Sequence, residues 1–239
     1  MKKLLNAFLS ILLLITLAGC ATAPATTNDK TVTFYLVRHG ETVFNTKGMA
    51  QGWCDSPLTE EGINQAKALG KGLSDVKFTS AYTSVSERAL DTANLVLEGK
   101  NIVPTLSENL KEMNFGTLEA TSSKELFGEE FKRLVEPEGW SDVNGESWPE
   151  VAKRVKTELD TAASASKNGD NVLISSHGMS ILALAQEVAA DSDVYKKFDE
   201  TNESGLENCS VTTVEWKNGD YTLKTINDTS YLEKGLKDK

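Results

Sequence analysis

The stretch TFYLVRHG at residues 33–40 decides the fold of this chain. Its first five residues are β-branched, aromatic or aliphatic without alternation, which is typical of a strand buried on both faces of a parallel sheet. The stretch NVLISSHG at residues 171–178 has the same form. Each run ends at a histidine followed by a glycine, His39-Gly40 and His177-Gly178, and we expect the glycine to free the backbone to turn. The sequence therefore predicts two buried strands that carry histidines at their carboxyl ends.

Helical and strand patterns alternate along the rest of the chain. The first half of the chain predicts a helix over 59–73, a strand over 78–82, a helix that begins at the capping box Ser84-Val85-Ser86-Glu87 and ends at Leu97, and a strand over 102–105. The second half predicts a helix over 122–135, a helix with an apolar stripe from Trp148 to Leu159, and a helix that follows His177-Gly178 and ends at Ala190. Two last strands, over 210–216 and 221–226, flank the hairpin dipeptide Asn218-Gly219. Such alternation predicts one α/β domain, a three-layer sandwich with a mainly parallel central sheet and helices on both faces. The last hairpin adds an antiparallel edge.

Composition excludes several classes of protein. The chain has 239 residues, with 25 Lys and Arg against 35 Asp and Glu, which gives a net charge of −10. Because nucleic-acid binding needs a clustered basic surface, we expect no nucleic-acid partner. Two histidines and three cysteines provide neither zinc-finger spacing nor a dense disulfide framework. A disulfide between Cys54 and Cys209 is neither favoured nor excluded.

The first 30 residues carry an export pattern. Two lysines precede an apolar run over 4–17 that is shorter than the ~20 residues needed to span a bilayer. Leu17-Ala18-Gly19-Cys20 resembles a bacterial lipobox, which implies cleavage before Cys20 and a lipid on its thiol. We therefore expect a lipoprotein signal peptide at 1–19, a flexible tether at 20–30 and a folded domain at 31–239, lipid-anchored at the extracytoplasmic face of the cell membrane. An uncleaved anchor, or a secretory signal with an accidental Cys20, stays open.

The polar residues at the strand ends have the chemistry of a phosphate pocket. Arg38 directly precedes His39, and Arg88 falls in the first turn of the helix that follows the second predicted strand. Guanidinium groups and helix N-termini both bind phosphate oxygens. Taken singly, each histidine is more often structural and Arg88 an ordinary surface cation. Together they predict a local site for an anionic ligand.

The order of the motifs resembles the histidine phosphatase superfamily, in its phosphoglycerate-mutase-like branch, from about Thr33 to Trp216. The motifs that carry the resemblance are Arg38-His39-Gly40-Glu41-Thr42 with Asn45, Gln51-Gly52, Asp55-Ser56-Pro57-Leu58-Thr59 with Gly62 and Gln65-Ala66, Ser86-Glu87-Arg88-Ala89 with Thr92-Ala93, Leu110-Lys111-Glu112 before Phe115-Gly116, Gly145-Glu146-Ser147, and Ser176-His177-Gly178. For Glu146 and Ser147 a second interpretation is equally good, in which Ser147 is the N-cap of the next helix with Pro149 in its first turn.

The resemblance implies a role for each site residue. His39 would be the nucleophile that forms a phosphohistidine, and Glu112 would protonate the leaving oxygen and later activate water. The transferring oxygens would be neutralised by Arg38, Arg88 and His177, with a neutral hydrogen bond from Asn45. Further substrate contacts are implied for Gln51, Gly52 and Gly178. The resemblance implies neither a metal nor another cofactor.

The sequence departs from the family pattern at three places, of which the first, Ala120, removes no chemistry. Ala120 replaces a frequent glycine, Met113 stands where mutases tend to carry arginine, and the segment 120–145 is shorter than in true phosphoglycerate mutases. That segment supplies only three cations for a second phosphate, Lys124, Lys132 and Arg133. The sequence therefore favours a phosphatase for a small phosphoester over a mutase. A non-catalytic lipoprotein that binds phosphorylated ligands is a third possibility, and the oligomeric state is not predicted.

The aromatic residues allow two interpretations. Five of them could line a substrate pocket above the strand ends or belong to the core: Trp53, Phe127, Phe131, Trp140 and Trp148. Aromatic residues at helical spacing are more often core.

Overall fold

The centre of the fold is a six-stranded sheet. The computed structural model describes residues 29–122, 132–201 and 205–237. The strands are β1 (Thr31–Arg38), β2 (Phe78–Ser84), β3 (Thr105–Ser107), β4 (Asp170–Ser176), β5 (Val211–Lys217) and β6 (Asp220–Asp228). Their order is β3-β2-β4-β1-β5-β6, in which the first four run parallel and the last two form an antiparallel edge. The predicted α/β sandwich with a mainly parallel sheet is confirmed.

Helices cover both faces of this sheet. They are α1 (Val43–Thr46), α2 (Glu60–Gly72), α3 (Glu87–Val96), α4 (Lys132–Val135), α5 (Trp148–Ala165), α6 (Gly178–Ala189), α7 (Asp193–Thr201) and α8 (Ser230–Lys237). On one face α5 and α6 pack over β1 and β4, and on the other α2, α3 and α8 do so. In β1, Phe34 and Leu36 belong to the hydrophobic core under α5 and α6, and Val37 belongs to the core under α2, α3 and α8. The strand is therefore buried on both faces, as its sequence predicts.

Two local predictions differ from the structure. Ser84 does not open a capping box, because it is the last residue of β2 and α3 begins at Glu87 without a side-chain hydrogen bond from its N-cap, Ser86. The third strand lies at Thr105–Ser107 instead of 102–105, and Val103 is 89% exposed. This strand is at the sheet edge, where fewer contacts fix its position.

The terminal hairpin follows its sequence signal. Asn218 has φ 53° and Gly219 has φ 105°, as a two-residue type I′ turn between β5 and β6 requires. Asn218 Oδ1 also accepts a hydrogen bond of 3.0 Å from the Lys30 backbone N–H, next to the first residue of β1. The predicted helix over 122–135 is described only as α4, because 123–131 lie outside the described residues.

The predicted signal peptide, the lipid site at Cys20 and most of the tether also lie outside the described residues. Within the described ranges, no helix is long and apolar enough to cross a membrane. Cys54 and Cys209 are both free thiols, so the disulfide that the sequence left open is not formed here. Burial raises the pKa of the Cys209 thiol to about 12.

Candidate active site

The four parallel strands deliver the predicted site residues to one edge of the sheet. Arg38 ends β1 and is paired in register with Ser176, the last residue of β4. His39 and His177 directly follow these two residues, so they are neighbours. Their rings lie 5.4 Å apart between centroids at an interplanar angle of 61°. Arg88 is in the first turn of α3, directly after β2, and Glu112 comes after β3. The carboxyl ends of the strands therefore bring these five residues together.

The tautomer of His39 is set by a backbone contact. Its Nδ1 lies 2.8 Å from the carbonyl oxygen of Gly40, which can only accept, so Nδ1 carries the proton and Nε2 the lone pair. Burial lowers the pKa of His39 well below its ordinary value, and the charges of Arg88 and Arg38 lower it further. Both effects favour a neutral imidazole with a nucleophilic Nε2.

His177 is fully buried beside His39. Burial lowers its pKa well below the ordinary value, followed by the charge of Arg88. Its ring is therefore neutral, and we expect it to act as a hydrogen-bond donor to a phosphoryl oxygen instead of as a cation.

Arg88 is a fully buried cation held from a preceding loop. Its Nη1 donates to Asp55 Oδ1 at 2.8 Å and to the Cys54 carbonyl at 3.0 Å, and its Nη2 donates to the Gly52 carbonyl at 2.9 Å. The other Asp55 oxygen accepts from the backbone N–H of Glu87 and so caps α3. One carboxylate thus fixes both the guanidinium and the start of its helix.

Several buried polar atoms in this cluster lack a hydrogen-bond partner among the described residues. They are Arg38 Nε, Arg88 Nε, both ring nitrogens of His177, and Gln51 Oε1. A buried donor without a partner costs about 1–3 kcal/mol, and a bound water, ion or ligand can supply the partner. Two guanidinium groups and an imidazole near His39 provide donors of the kind that phosphoryl oxygens accept from.

Asn45 has its amide oriented by neighbours. Its Oδ1 accepts from the Thr42 backbone at 3.1 Å and from the Thr42 hydroxyl at 3.0 Å, so Nδ2 is the part of the amide left for a substrate oxygen. Asn208 Nδ2 donates to the His39 carbonyl at 2.9 Å and also lies 3.4 Å from Asn45 Oδ1. The placement agrees with the predicted hydrogen bond from Asn45 to the phosphoryl group, which stays a prediction.

Glu112 presents its carboxylate at the start of a helix. The N–H groups of Met113, Ser180 and Met179 donate to its oxygens at 2.8, 3.0 and 3.2 Å. The last two belong to the first turn of α6. The carboxylate therefore has one fixed orientation beside the cavity, and its role as proton donor stays a prediction.

The glycines of the site have different reasons to be glycine. Gly52 has φ +56°, and a side chain there would collide with the Glu119 carboxylate. Gly40 lacks a positive φ, but a Cβ would lie 2.5 Å from the Gly62 carbonyl oxygen. Gly178 has neither restriction, because it is the first residue of α6 and a Cβ would make ordinary contacts. The expectation that both His-Gly turns need glycine for backbone freedom is therefore wrong.

A cavity of about 180 Å³ opens onto Arg38, His39, Arg88 and Glu112. His177 is fully buried and is not among its described lining residues. The polar lining of the cavity includes Arg38, His39, Asn45, Gln51, Gly52, Arg88, Glu112 and Gly178. Its apolar lining includes Met49, Ala50, Phe115, Met179, Leu182 and Leu206. The cavity therefore combines charged and hydrogen-bonding groups with uncharged side chains.

Of the aromatic candidates, none that the structure describes lines this cavity. Trp140 is fully buried in the core, Trp148 packs against the same core, and Trp53 is 45% exposed. Phe127 and Phe131 lie outside the described residues. Among the described residues, the aromatic side chain that lines the cavity is Phe115, which lies in a motif to which the sequence assigned no role. The described ranges contain no group of three or more His, Cys, Asp or Glu side chains that could hold a metal ion.

Sequence reasoning assigned no role to four residues that support the site. Asp55 and Glu146 lie in motifs, and Arg154 and Asn208 lie outside them. Ser147 is the N-cap of α5 with a capping box to Glu150, as the alternative interpretation of that motif predicts. Glu146 instead accepts two hydrogen bonds of 2.9 Å from Arg154. The sequence did offer one signal for this pair: Glu146 directly precedes the helix cap Ser147, and Arg154 lies on the buried side of the same helix.

Comparison with known proteins agrees with the fold. Residues 34–229 match the model of the histidine phosphatase superfamily, branch 1. The chain belongs to this family.

The relatives include proteins named for more than one phosphoryl-transfer activity. A protein of Erwinia tasmaniensis named probable phosphoglycerate mutase GpmB is 32% identical over 209 residues, 83% of this chain and 94% of its own length. The crystal structure of phosphoglycerate mutase from Bacillus anthracis aligns with a TM-score of 0.71 at 34% identity, over 87% of this chain and 98% of that chain. Phosphoserine phosphatase from Entamoeba histolytica, in complex with phosphoserine, aligns with a TM-score of 0.67 at 28% identity, over 84% and 99% of the two chains.

Proposed function

We propose that this protein is a phosphomonoesterase that hydrolyses small phosphoesters through a phosphohistidine on His39. The observation that carries the proposal is the group of unpartnered buried donors, from Arg38, Arg88 and His177, around the neutral ring of His39. This arrangement supplies a nucleophile and the donors that a loose phosphoryl transition state requires. We expect no metal or other cofactor to take part.

In the first step the lone pair of His39 Nε2 attacks phosphorus in line with the ester oxygen. The N–P bond forms as the P–O bond breaks, and Glu112 gives its proton to the leaving oxygen. In the second step water attacks the phosphohistidine and Glu112 takes a proton from it, which releases inorganic phosphate and neutral His39. Arg38, Arg88 and His177 donate to the transferring oxygens in both steps.

The charge of the cavity supports a hydrolase over a mutase. A mutase must retain a second anionic group, and among the described lining residues the cations are Arg38 and Arg88, both of which the proposal assigns to the transferring phosphoryl group. Met113, at the position where mutases tend to carry arginine, is fully buried in the core. Arg133 is paired with Asp142. Lys124 and the side chain of Lys132 lie outside the described residues.

A substrate panel tests this function. The full-length chain is assayed with p-nitrophenyl phosphate, phosphoserine, sugar phosphates and 3-phosphoglycerate, and both inorganic phosphate and 2-phosphoglycerate are measured. We expect phosphate release from several esters, with no net formation of 2-phosphoglycerate. Isomerisation of 3-phosphoglycerate without phosphate release would instead establish the mutase. Tight binding without turnover would establish a non-catalytic phospho-ligand-binding protein.

We further propose that a lipid on Cys20 anchors the protein at the extracytoplasmic face of the cell membrane. The support is the lipobox-like sequence Leu17-Ala18-Gly19-Cys20. Thr31 begins β1 at the end of the sheet opposite His39, and eight residues of strand span roughly 23 Å. An anchor attached ahead of Thr31 would therefore leave the cavity open to soluble substrates.

The test is incorporation of labelled fatty acid into the full-length chain expressed in bacteria. We expect Cys20→Ala to abolish the label and leave an uncleaved precursor. The matched control, Cys54→Ala, should be labelled like the wild type. Equal labelling of both variants would reject the lipid anchor at Cys20.

A further inference from the structure

Glu112 lies in a loop, outside any helix or strand. Between β3 and the turn at Gly116–Leu118, the chain has only the short 3-10 turn Glu108–Leu110. The segment 109–114 must therefore be fixed by contacts from elsewhere, because a proton donor has to be held close to its productive geometry.

Arg154, on α5, supplies three of these contacts and has a partner for each of its five N–H donors. Nη1 donates to the carbonyl oxygens of Asn109 at 2.9 Å and Lys111 at 2.6 Å. Nη2 donates to the Glu112 carbonyl oxygen at 2.9 Å. The remaining two donors, Nε and the second hydrogen of Nη2, both bind the Glu146 carboxylate at 2.9 Å. The planar guanidinium is thus fully used on the backbone around Glu112 and on one counter-ion.

Glu146 holds the backbone on the other side of Glu112, at Asn114. Its Oε2 accepts from the Asn114 backbone N–H at 2.9 Å, and its own N–H donates to the Asn114 carbonyl at 2.9 Å. The Arg154 and Glu146 side chains are only 15% and 18% exposed, so the pair is shielded from solvent. Together they hold the backbone before, at and after Glu112.

Neither side chain of this pair lines the cavity. The Glu112 carbonyl accepts from Arg154 on α5 and also from Trp53 Nε1 at 2.9 Å, whereas the Glu112 carboxylate is held by the first turn of α6. We propose that the Arg154–Glu146 pair is a positioning device that aims the Glu112 carboxylate at the leaving oxygen. The proposal rests on the proposed function, because it assigns the pair to the proton-transfer step of that reaction.

Loss of the pair should therefore be selective for the leaving group. A lysine at 154 keeps the charge but has three donors instead of five and no planar fork. For Arg154→Lys we expect kcat/KM to fall about 10–100-fold with alkyl phosphates, which need protonation of the leaving oxygen. With 2,4-dinitrophenyl phosphate, whose leaving group needs little protonation, we expect a loss below about threefold.

A second charged residue of α5 provides the matched control. Glu158 lies one turn further along, is 9% exposed, and accepts from Ser107 Oγ at 2.5 Å and Asn109 Nδ2 at 3.3 Å, upstream of Glu112. Glu158→Gln should lower stability without changing the dependence of kcat/KM on the leaving group. Glu146→Gln should behave like Arg154→Lys, because its amide would place a donor against the guanidinium.

The experiment measures kcat/KM over a series of aryl and alkyl phosphates, the inhibition constant of inorganic phosphate, and hydrogen exchange of residues 108–116 in the resting protein. We expect a steeper leaving-group dependence and faster exchange in Arg154→Lys and Glu146→Gln, with phosphate inhibition unchanged within about threefold. A uniform loss over all esters, or unchanged exchange, in folded variants of an active wild type would overturn the proposal. An inactive wild type would instead reject the proposed function. The exchange measurement would still show whether the Arg154–Glu146 pair holds the backbone around Glu112.

Discussion

Replacement of Asp55 by asparagine should lower the stability of the protein and increase the stabilisation that inorganic phosphate gives it. The Asp55 carboxylate accepts from Arg88 Nη1 at 2.8 Å, from the Ser56 N–H at 2.9 Å, and from the Glu87 N–H. Asparagine has one acceptor oxygen and an NH₂ group, so one of these donors would face another donor. A lost hydrogen bond to a charged group costs about 1.5–3 kcal/mol. Since Asp55 is 30% exposed, we expect about 2 kcal/mol for Asp55→Asn.

The assay is thermal unfolding with and without inorganic phosphate. For a domain of this size the loss corresponds to a fall in Tm of about 4–8 °C. Phosphate should raise the Tm of the variant more than that of the wild type, because it would replace the counter-charge of the buried Arg88. The control is Asp75→Asn, which breaks the exposed ion pair with Lys234 and should leave the Tm unchanged within error. Equal Tm values for the two variants, or equal phosphate shifts, would refute the reasoning.

Two further predictions concern pH and backbone strain. Because burial lowers the pKa of His39 in the folded state, the unfolded chain binds the proton first, so stability is lost as the pH falls below about 6.5. Denaturant unfolding of His39→Gln should show a flatter pH dependence than the wild type, and identical profiles would contradict this. Ala120 has φ 58°, where a Cβ costs about 1 kcal/mol, so Ala120→Gly should raise the free energy of unfolding by about that amount. Asn101→Gly, at φ 51°, is the control with a smaller expected gain, and a neutral or destabilising Ala120→Gly would count against the strain.

The sequence predicted the sheet and the central site residues because their signals are local. The apolar runs before His39 and His177 require strands buried on both faces, and parallel strands place the residues at their carboxyl ends along one edge of the sheet. Arg88 was placed in the first turn of a helix, where it lies. The motif order then indicated which nearby residues belong to the same pocket.

The supporting contacts could not be predicted because they join distant parts of the chain. The N–H at the start of α3 is capped by Asp55, 32 residues earlier, so the local Ser84 pattern was misleading. The Glu112 carbonyl is bound by Arg154, 42 residues later, and the His39 carbonyl by Asn208, 169 residues later. Each contact depends on how the loops pack over the sheet, for which periodicity gives no signal.

The most direct test of the central claim is detection of the phosphoenzyme. The full-length protein is mixed with p-nitrophenyl phosphate, quenched rapidly at alkaline pH, at which phosphohistidine survives, and the modified peptide is identified by mass spectrometry. We expect one phosphoryl group on His39 in the wild type, accumulation of the same species in Glu112→Gln, and none in His39→Ala. A phosphoryl group on His177, or rapid turnover of aryl phosphate by folded His39→Ala, would contradict the account.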